Sequence, residues 1–371
     1  MQTHILDLIA PAPGMTAQLQ VLRFGQPGGK KAYIQAALHA DEVPAIVVAH
    51  ALKALLLEAE SAGRLQAEIL LVPFANPIGL AQNVQGQHHG RFSLDDGRNF
   101  NRGFAELSAA AADHVQLGDD LATNTQRIRA ALRSAAHALP ATTPLQDLKR
   151  RLLQQAIDAD IVLDLHCDND AVMHLFALTP HAAIAEQLGA QLGARAVLLA
   201  TESGDNPFDE ACSRPWLDLQ EKWGADKVPL ACFASTIELR GEQDTSHSLA
   251  AQDAQAIYEF LVLQGLITAD SSAGAWEKQA LCAATPLAGS EPITAPHAGV
   301  VIYHRKPGDP VKAGDAIVDL LNPQTGEITT LRCQSSGLFY GGSATRWAHA
   351  GKRLAKVAGT ELMRTGKLLS Y

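Results

Sequence analysis

The chain has 371 residues, enough for two domains of ordinary size. Hydrophobic residues make up 47% and charged residues 19%, a balance that excludes a disordered or collagen-like chain. With 30 basic against 39 acidic residues the formal charge is -9, which lends no support to a nucleic-acid partner or a polybasic membrane anchor.

No run of about 18 uncharged apolar residues occurs; the nearest, Val43 to Leu57, is interrupted by His50 and Lys53. Met1 to Gly14 lacks the basic start and apolar stretch of a secretory signal. Five scattered cysteines (Cys167, Cys212, Cys232, Cys282, Cys333) have no C-x-x-C spacing, so neither a disulfide framework nor a cysteine zinc site is expected. These features place the chain in the cytoplasm with no membrane partner. They leave the oligomeric state open, a homo-oligomer included.

Strand-like runs alternate with helical stretches, the pattern of an α/β fold with a mixed central sheet. Leu19 to Phe24, Tyr33 to Leu38 and Ile69 to Phe74 read as early strands. Val43 to Ala59 reads as a helix with Pro44 in its first turn and Asp41 as N-cap; its apolar residues run almost all round, so it should be buried. Residues 105 to 159 are rich in Ala, Leu and Gln without strand signal and read as a helical insertion. Its last helix follows a Thr143 cap and Pro144, with Leu145, Leu148, Leu152 and Ala156 at helical spacing. Further strands are expected at Ile161 to His166, Val172 to Phe176, Ala196 to Leu199 and Phe233 to Leu239, then a helix over Ser248 to Leu263.

The Ala-, Ser- and Gly-rich stretch Ser271 to Gly289 marks a boundary, giving a catalytic α/β domain over 1–285 and a small all-β domain over 286–371. Glycine-punctuated apolar pairs, as in Pro307-Gly308-Asp309-Pro310-Val311 and Ala313-Gly314-Asp315, indicate short strands and tight turns closing into a barrel. This segment resembles the biotinyl/lipoyl-type barrel, whose carrier members hold a prosthetic group on a hairpin lysine. The corresponding hairpin here, Asn322 to Gly326, has no lysine, which argues against a carrier role.

Four short motifs carry the chemistry. His39-Ala40-Asp41-Glu42 ends a strand and begins a helix, so a histidine and a carboxylate can face one ion across a turn. Asp164-Leu165-His166 ends another strand, and period-two alternation puts Asp164 and His166 on one face, His166 as a third ligand and Asp164 beside it. Two histidines and a glutamate leave a fourth zinc position open, the catalytic rather than structural arrangement. The loop Arg91 to Phe104 is dense in guanidinium and amide groups suited to a substrate carboxylate and a polarised carbonyl. Glu238 in Thr236-Ile237-Glu238-Leu239, again at a strand end, could serve as general base.

In this order the motifs H-x-x-E, R-F-x-x-D-D-G-R-N-F-N-R-x-F, D-L-H and T-x-E-L resemble the succinylglutamate desuccinylase/aspartoacylase family of the zinc-carboxypeptidase-like fold, over about residues 30 to 240. The resemblance implies one Zn2+ held by His39, Glu42 and His166, with Glu238 as catalytic carboxylate. It implies that Asn101 and Arg102 bind the substrate carboxylate, and that Arg91, or Arg98 in its place, stabilises the carbonyl oxygen. The implied activity is hydrolysis of the amide of an N-acyl amino acid or similar small carboxylate.

Carboxypeptidases of this fold place a tyrosine before the catalytic glutamate. None lies between His166 and Glu238, which favours a deacylase over the competing metallocarboxypeptidase reading. Tyr303 or Tyr340 of the C-terminal domain could complete the pocket. The full ligand set argues against the third reading, a non-catalytic binding module. Asp168, Asp170, Asp205 and Asp209 lie in segments that border such a pocket, where an acidic wall would suit a substrate with an extra amino group. From Ser290 onward ten Lys/Arg stand against six Asp/Glu, so this part carries about +4 and the rest about -13. A basic barrel against an acidic catalytic domain would help hold the two together and favour an anionic substrate.

Overall fold

The computed structural model describes residues 1–269 and 278–369. It forms two units that share the chain discontinuously: 1–166, 204–236 and 245–276 in the first, 167–203, 237–244 and 277–371 in the second.

The first unit is built on a mixed sheet. Gln2–Leu8 pairs antiparallel with Ala17–Phe24, which pairs antiparallel with Glu68–Val72. Glu68–Val72 then runs parallel to Lys31–Ala36, and that strand parallel to Ile161–Asp168, with Ala36 opposite Leu165. The three parallel strands are buried almost along their whole length, on both faces, so they show no alternation of buried and exposed residues. The sequence signal for Gln2–Leu8 is weaker, since its pattern is half-exposed.

Helix Pro44–Ser61 buries Val48, Leu52 and Leu56, and packs on helix His247–Leu263. It differs from expectation in two ways. Its N-cap is Val43, with no side-chain cap bond, because Asp41 lies inside the preceding tight turn, two residues too early to reach the first free amides. It is also not buried all round: His50, Ala54, Leu57 and Glu58 face solvent.

The insertion is helical, with helices Ser108–Ala112, Leu121–Ala138 and Pro144–Ala156. Thr143 caps the last, its side chain accepting from the Gln146 amide at 3.2 Å. Ile128, Leu132, Leu148 and Leu152 meet Phe208 and Trp216 of helix Phe208–Trp223 in one core.

In the second unit His174–Leu178, Ala196–Ala200 and Ala284–Pro286 form a parallel set, covered by helix Ala182–Leu192. The rest is two antiparallel sheets. One runs Ser290–Thr294, Arg353–Ala358, Gly337–Gly342, Pro310–Val311; the other runs Ile328–Arg332, Ala316–Leu321, Gly299–Tyr303, Trp347–Ala348. They enclose Ile293, Val301, Ile317, Leu320, Phe339 and Val357. The Asn322–Gly326 turn joins Ala316–Leu321 to Ile328–Arg332 and is closed by the Gly326 amide on the Asn322 carbonyl at 2.8 Å. Residues 271–277 of the expected boundary stretch lie outside the described residues. Among the described residues, no helix is long and apolar enough to cross a membrane.

Candidate metal centre and substrate loop

The strand Lys31–Ala36 ends in a bend that aims His39 and Glu42. Ala37 is fully buried yet has φ 57°, a left-handed conformation that a non-glycine residue holds only where its surroundings over-determine it. The turn closes with the Glu42 amide on the His39 carbonyl at 3.1 Å and is braced from two sides. Asn76 donates from Nδ2 to the Leu38 carbonyl at 2.9 Å. The Ala40 amide donates to the Gly90 carbonyl at 3.0 Å. Residue 90 must be glycine, because a Cβ there would come within 2.0 Å of the Asp41 amide nitrogen. That close approach brings Arg91 beside the ligand turn.

His39, Glu42 and His166 are all buried, and one ligand atom from each lies within 4.8 Å of the others. His39 Nδ1 is 3.0 Å from Glu42 Oε1, and His166 Nδ1 is 2.7 Å from Glu42 Oε2. The far side of each ring fixes its tautomer. Asp164 Oδ2, 2.9 Å from His166 Nε2, can only accept, so that nitrogen carries the proton. Asn99 Oδ1 accepts from the Asn101 amide at 2.7 Å, so His39 Nε2, at 2.8 Å from the same oxygen, must donate. Both Nδ1 lone pairs therefore converge on the carboxylate.

Two imidazole nitrogens and a carboxylate facing one another can share a positive charge among them. A borderline-soft divalent cation fits this two-imidazole, one-carboxylate set, and the outer partners Asp164 and Asn99 orient its histidines as metal-ligand histidines require. The electrostatics of the two histidines differ. Burial and the nearby Arg91 guanidinium push His39 down to about 4, keeping it neutral. Burial also opposes charge on His166, but Asp164 and Glu42 outweigh it and hold that imidazole well above its usual value, so a cation entering the site would displace a proton from its Nδ1. Glu42 stays ionised against burial because His39, His166 and Arg91 surround it.

Of the arginines in the loop, Arg91 reaches Glu42 Oε1 at 2.6 Å. Arg98 does not join the cluster: its side chain is 68% exposed and pairs with Asp96 at 3.5 Å, in the manner of a solvated loop. Asn101 is 3% exposed, its amide nitrogen 3.2 Å from His166 Nε2 and 3.5 Å from Asp164 Oδ2, and its oxygen accepting from the Phe208 amide at 2.8 Å. Arg102 is turned back on the Asn101 carbonyl at 2.6 Å, in the field of Asp209, Glu210 and Asp205.

Glu238 belongs to the second unit, half-buried on Phe233–Gly241, one pleat beyond Thr236 and on the same face of that strand. Tyr340, 1% exposed, bonds Ser290 Oγ at 2.8 Å, and the Tyr303 hydroxyl donates to the Leu354 carbonyl at 2.6 Å. Asp168 is ion-paired with Lys356, and Asp170 lies 3.9 Å from Arg346.

Sequence reasoning overlooked Asn99 as the partner of His39. The signal was present, since a second amide stands two residues before Asn101, but only the fold brings it to the ring. It also left Asp209 without a neighbour. Burial, followed by the negative field of Asp164, raises this carboxyl to about 6. A carboxyl raised in the folded state favours folding fully below the unfolded pKa near 4, and the contribution fades as pH climbs through 6. Asp209→Asn is therefore expected to stabilise the protein at pH 8 by about 1–3 kcal/mol and to leave it nearly unchanged at pH 4. Thermal unfolding at the two pH values checks this; a larger loss at pH 8 than at pH 4 would contradict it.

A family model described as the succinylglutamate desuccinylase/aspartoacylase catalytic domain matches residues 28–263. Among solved structures, the chain is similar to a succinylglutamate desuccinylase/aspartoacylase family protein from Shewanella amazonensis. That protein is 29% identical, with a TM-score of 0.83 over 96% of this chain and 98% of the other. A protein described as a succinylglutamate desuccinylase/aspartoacylase from Shewanella frigidimarina shares the fold at 23% identity and TM-score 0.83, over 96% and 97% of the two chains. The ectoine utilization protein EutE (DoeB) of Ruegeria pomeroyi, in its product-bound structure, shares it at 17% identity and TM-score 0.67, over 96% and 95%. No curated protein matches the sequence.

Proposed function

Since the chain belongs to the succinylglutamate desuccinylase/aspartoacylase family, we propose that it is a zinc-dependent deacylase that hydrolyses the amide bond of an N-acyl amino acid or a similar small carboxylate. One observation carries the reading: the Nδ1 atoms of His39 and His166 converge with the Glu42 carboxylate while Asp164 and Asn99 occupy their outer nitrogens. A zinc ion held by these three residues supplies Lewis acidity, making water more acidic and polarising a carbonyl.

The remaining steps belong to side chains. Arg102, with Asn101 beside it, takes the substrate carboxylate, since a guanidinium fork matches two carboxylate oxygens. Arg91 donates to the carbonyl oxygen as negative charge grows there; its contact with Glu42, against the exposed Arg98–Asp96 pair, supports choosing it over Arg98. Glu238 takes a proton from the attacking water and returns it to the departing nitrogen, so the C–N bond breaks to a carboxylate and an amine. Asp164 holds His166 in one tautomer throughout.

Arg102→Lys keeps the charge but removes the fork. It is expected to raise KM for an N-acyl amino acid by about 10- to 100-fold with kcat within about threefold. Steady-state kinetics on purified variants checks the split. The reading itself is tested by following amine release from a panel of N-acyl amino acids that differ in acyl group, with short peptides alongside. Release from the former, abolished by chelation, supports it; hydrolysis confined to peptides would replace it with a carboxypeptidase.

A further inference from the structure

The helical insertion does more than fill the core beside the sheet. Its last helix, Pro144–Ala156, is anchored by Leu145, Leu148, Leu152 and Leu153, all buried. Lys149 on the same helix is not needed for that packing and instead points into the substrate loop. Its ammonium donates to the Asn99 carbonyl at 3.2 Å and to the Arg102 carbonyl, and stands 5.4 Å over the Phe104 ring. One cation thus ties together both ends of the segment Asn99–Arg102, within which Asn99 orients His39 and Asn101 faces Asp164.

The opposite edge of the loop is held by backbone. The amides of Gly103 and Phe104 donate to the carbonyls of Asp205 and Asn206 at 2.6 and 3.1 Å, and Asn206 Nδ2 donates to the Phe104 carbonyl at 2.8 Å. Asp205 and Asn206 adopt φ 58° and 44°, left-handed conformations that Asp and Asn take more readily than other non-glycine residues. The loop is thus clamped on both edges.

We propose that Lys149 is a positioning residue for the substrate loop: it fixes Asn99–Arg102 so that Asn101 and Arg102 meet a substrate carboxylate and Asn99 holds the His39 ring. The substrate half of this inference rests on the deacylase reading above. Burial is the chief cost of keeping the ammonium charged, and it brings Lys149 down to about 8, with Arg98 and Arg102 adding to the cost and Asp96 opposing it. A lysine that served only solubility would not be held in such a place.

The test uses full-length, metal-loaded wild type, Lys149→Met and Lys149→Arg. Methionine keeps the bulk of the stem and removes every donor; arginine keeps the charge and the donors. In Lys149→Met, KM for a hydrolysed N-acyl amino acid should rise about tenfold or more with kcat within about threefold, and Lys149→Arg should recover most of the loss. Amide hydrogen exchange over residues 99–104 should accelerate about tenfold in Lys149→Met while the amides of 144–156 stay protected.

Unchanged KM and unchanged exchange in Lys149→Met would overturn the proposal. So would an equal loss in both variants accompanied by faster exchange of the helix itself, which would mark a packing role. If the wild type releases no amine from any N-acyl amino acid, the deacylase reading fails separately. Exchange then decides the clamp alone, with selective loosening in Lys149→Met supporting it and none overturning it.

Discussion

Glu42→Gln is expected to abolish both metal retention and hydrolysis. The substitution is nearly isosteric, but it replaces the anionic member of the donor set by a neutral amide. The two Nδ1 atoms at 3.0 and 2.7 Å would then face a group that cannot neutralise a divalent cation, and Arg91 would lose its charged partner at 2.6 Å. Zinc content measured on the purified protein should fall from about one per chain to about a tenth or less, and kcat/KM by about 10³ or more, since the lost Lewis acid accounts for several kcal/mol of barrier. Full zinc content in Glu42→Gln would show that the three donors are not the metal centre.

Glu238→Gln separates chemistry from metal binding. Glutamine preserves shape and one acceptor but cannot carry a proton, so kcat should drop by about 10² to 10⁴ while zinc content stays at about one per chain and KM moves by less than about threefold. Glu238 is half-buried on the strand Phe233–Gly241 and glutamine keeps its size and shape, so the variant should fold. Retention of full activity would remove Glu238 as the proton carrier and direct attention to another carboxylate.

Part of the His39, Glu42 and His166 cluster was legible because its spacing is local. H-x-x-E spans one turn and D-L-H one pleat of a strand, so spacing can put each pair on a common face, while the resemblance of the motifs in their order is what joined the pairs into one set. What holds them was not legible. Gly90 is required only because the loop backbone passes against Asp41, and Asn99 matters only because folding brings it to a ring 60 residues earlier. Lys149 reads as one polar position on an amphipathic helix, since nothing in the helix period reveals that two carbonyls wait opposite it.

The fold shows the same division. The buried aliphatic strands and the Thr143-capped helix stand out by composition and by cap chemistry. The helix Phe208–Trp223 does not: its N-cap is Pro207 with no side-chain cap bond, it carries Pro215 inside, and a polar Ser-Gly-Asp-Asn stretch precedes it. Asp41 shows the opposite error. A good capping residue near a helix start reads as the cap, but the turn that aims Glu42 claims it. Local chemistry is overridden where the chain builds the site.

Metal-dependent deacylation is tested most directly by one measurement, amine release from N-acyl amino acids by the full-length protein, as purified, after chelation and after zinc is restored. Release should disappear on chelation and return with about one equivalent of zinc per chain. Undiminished hydrolysis by metal-stripped protein, or none from any N-acyl amino acid by the zinc-loaded protein, would contradict it.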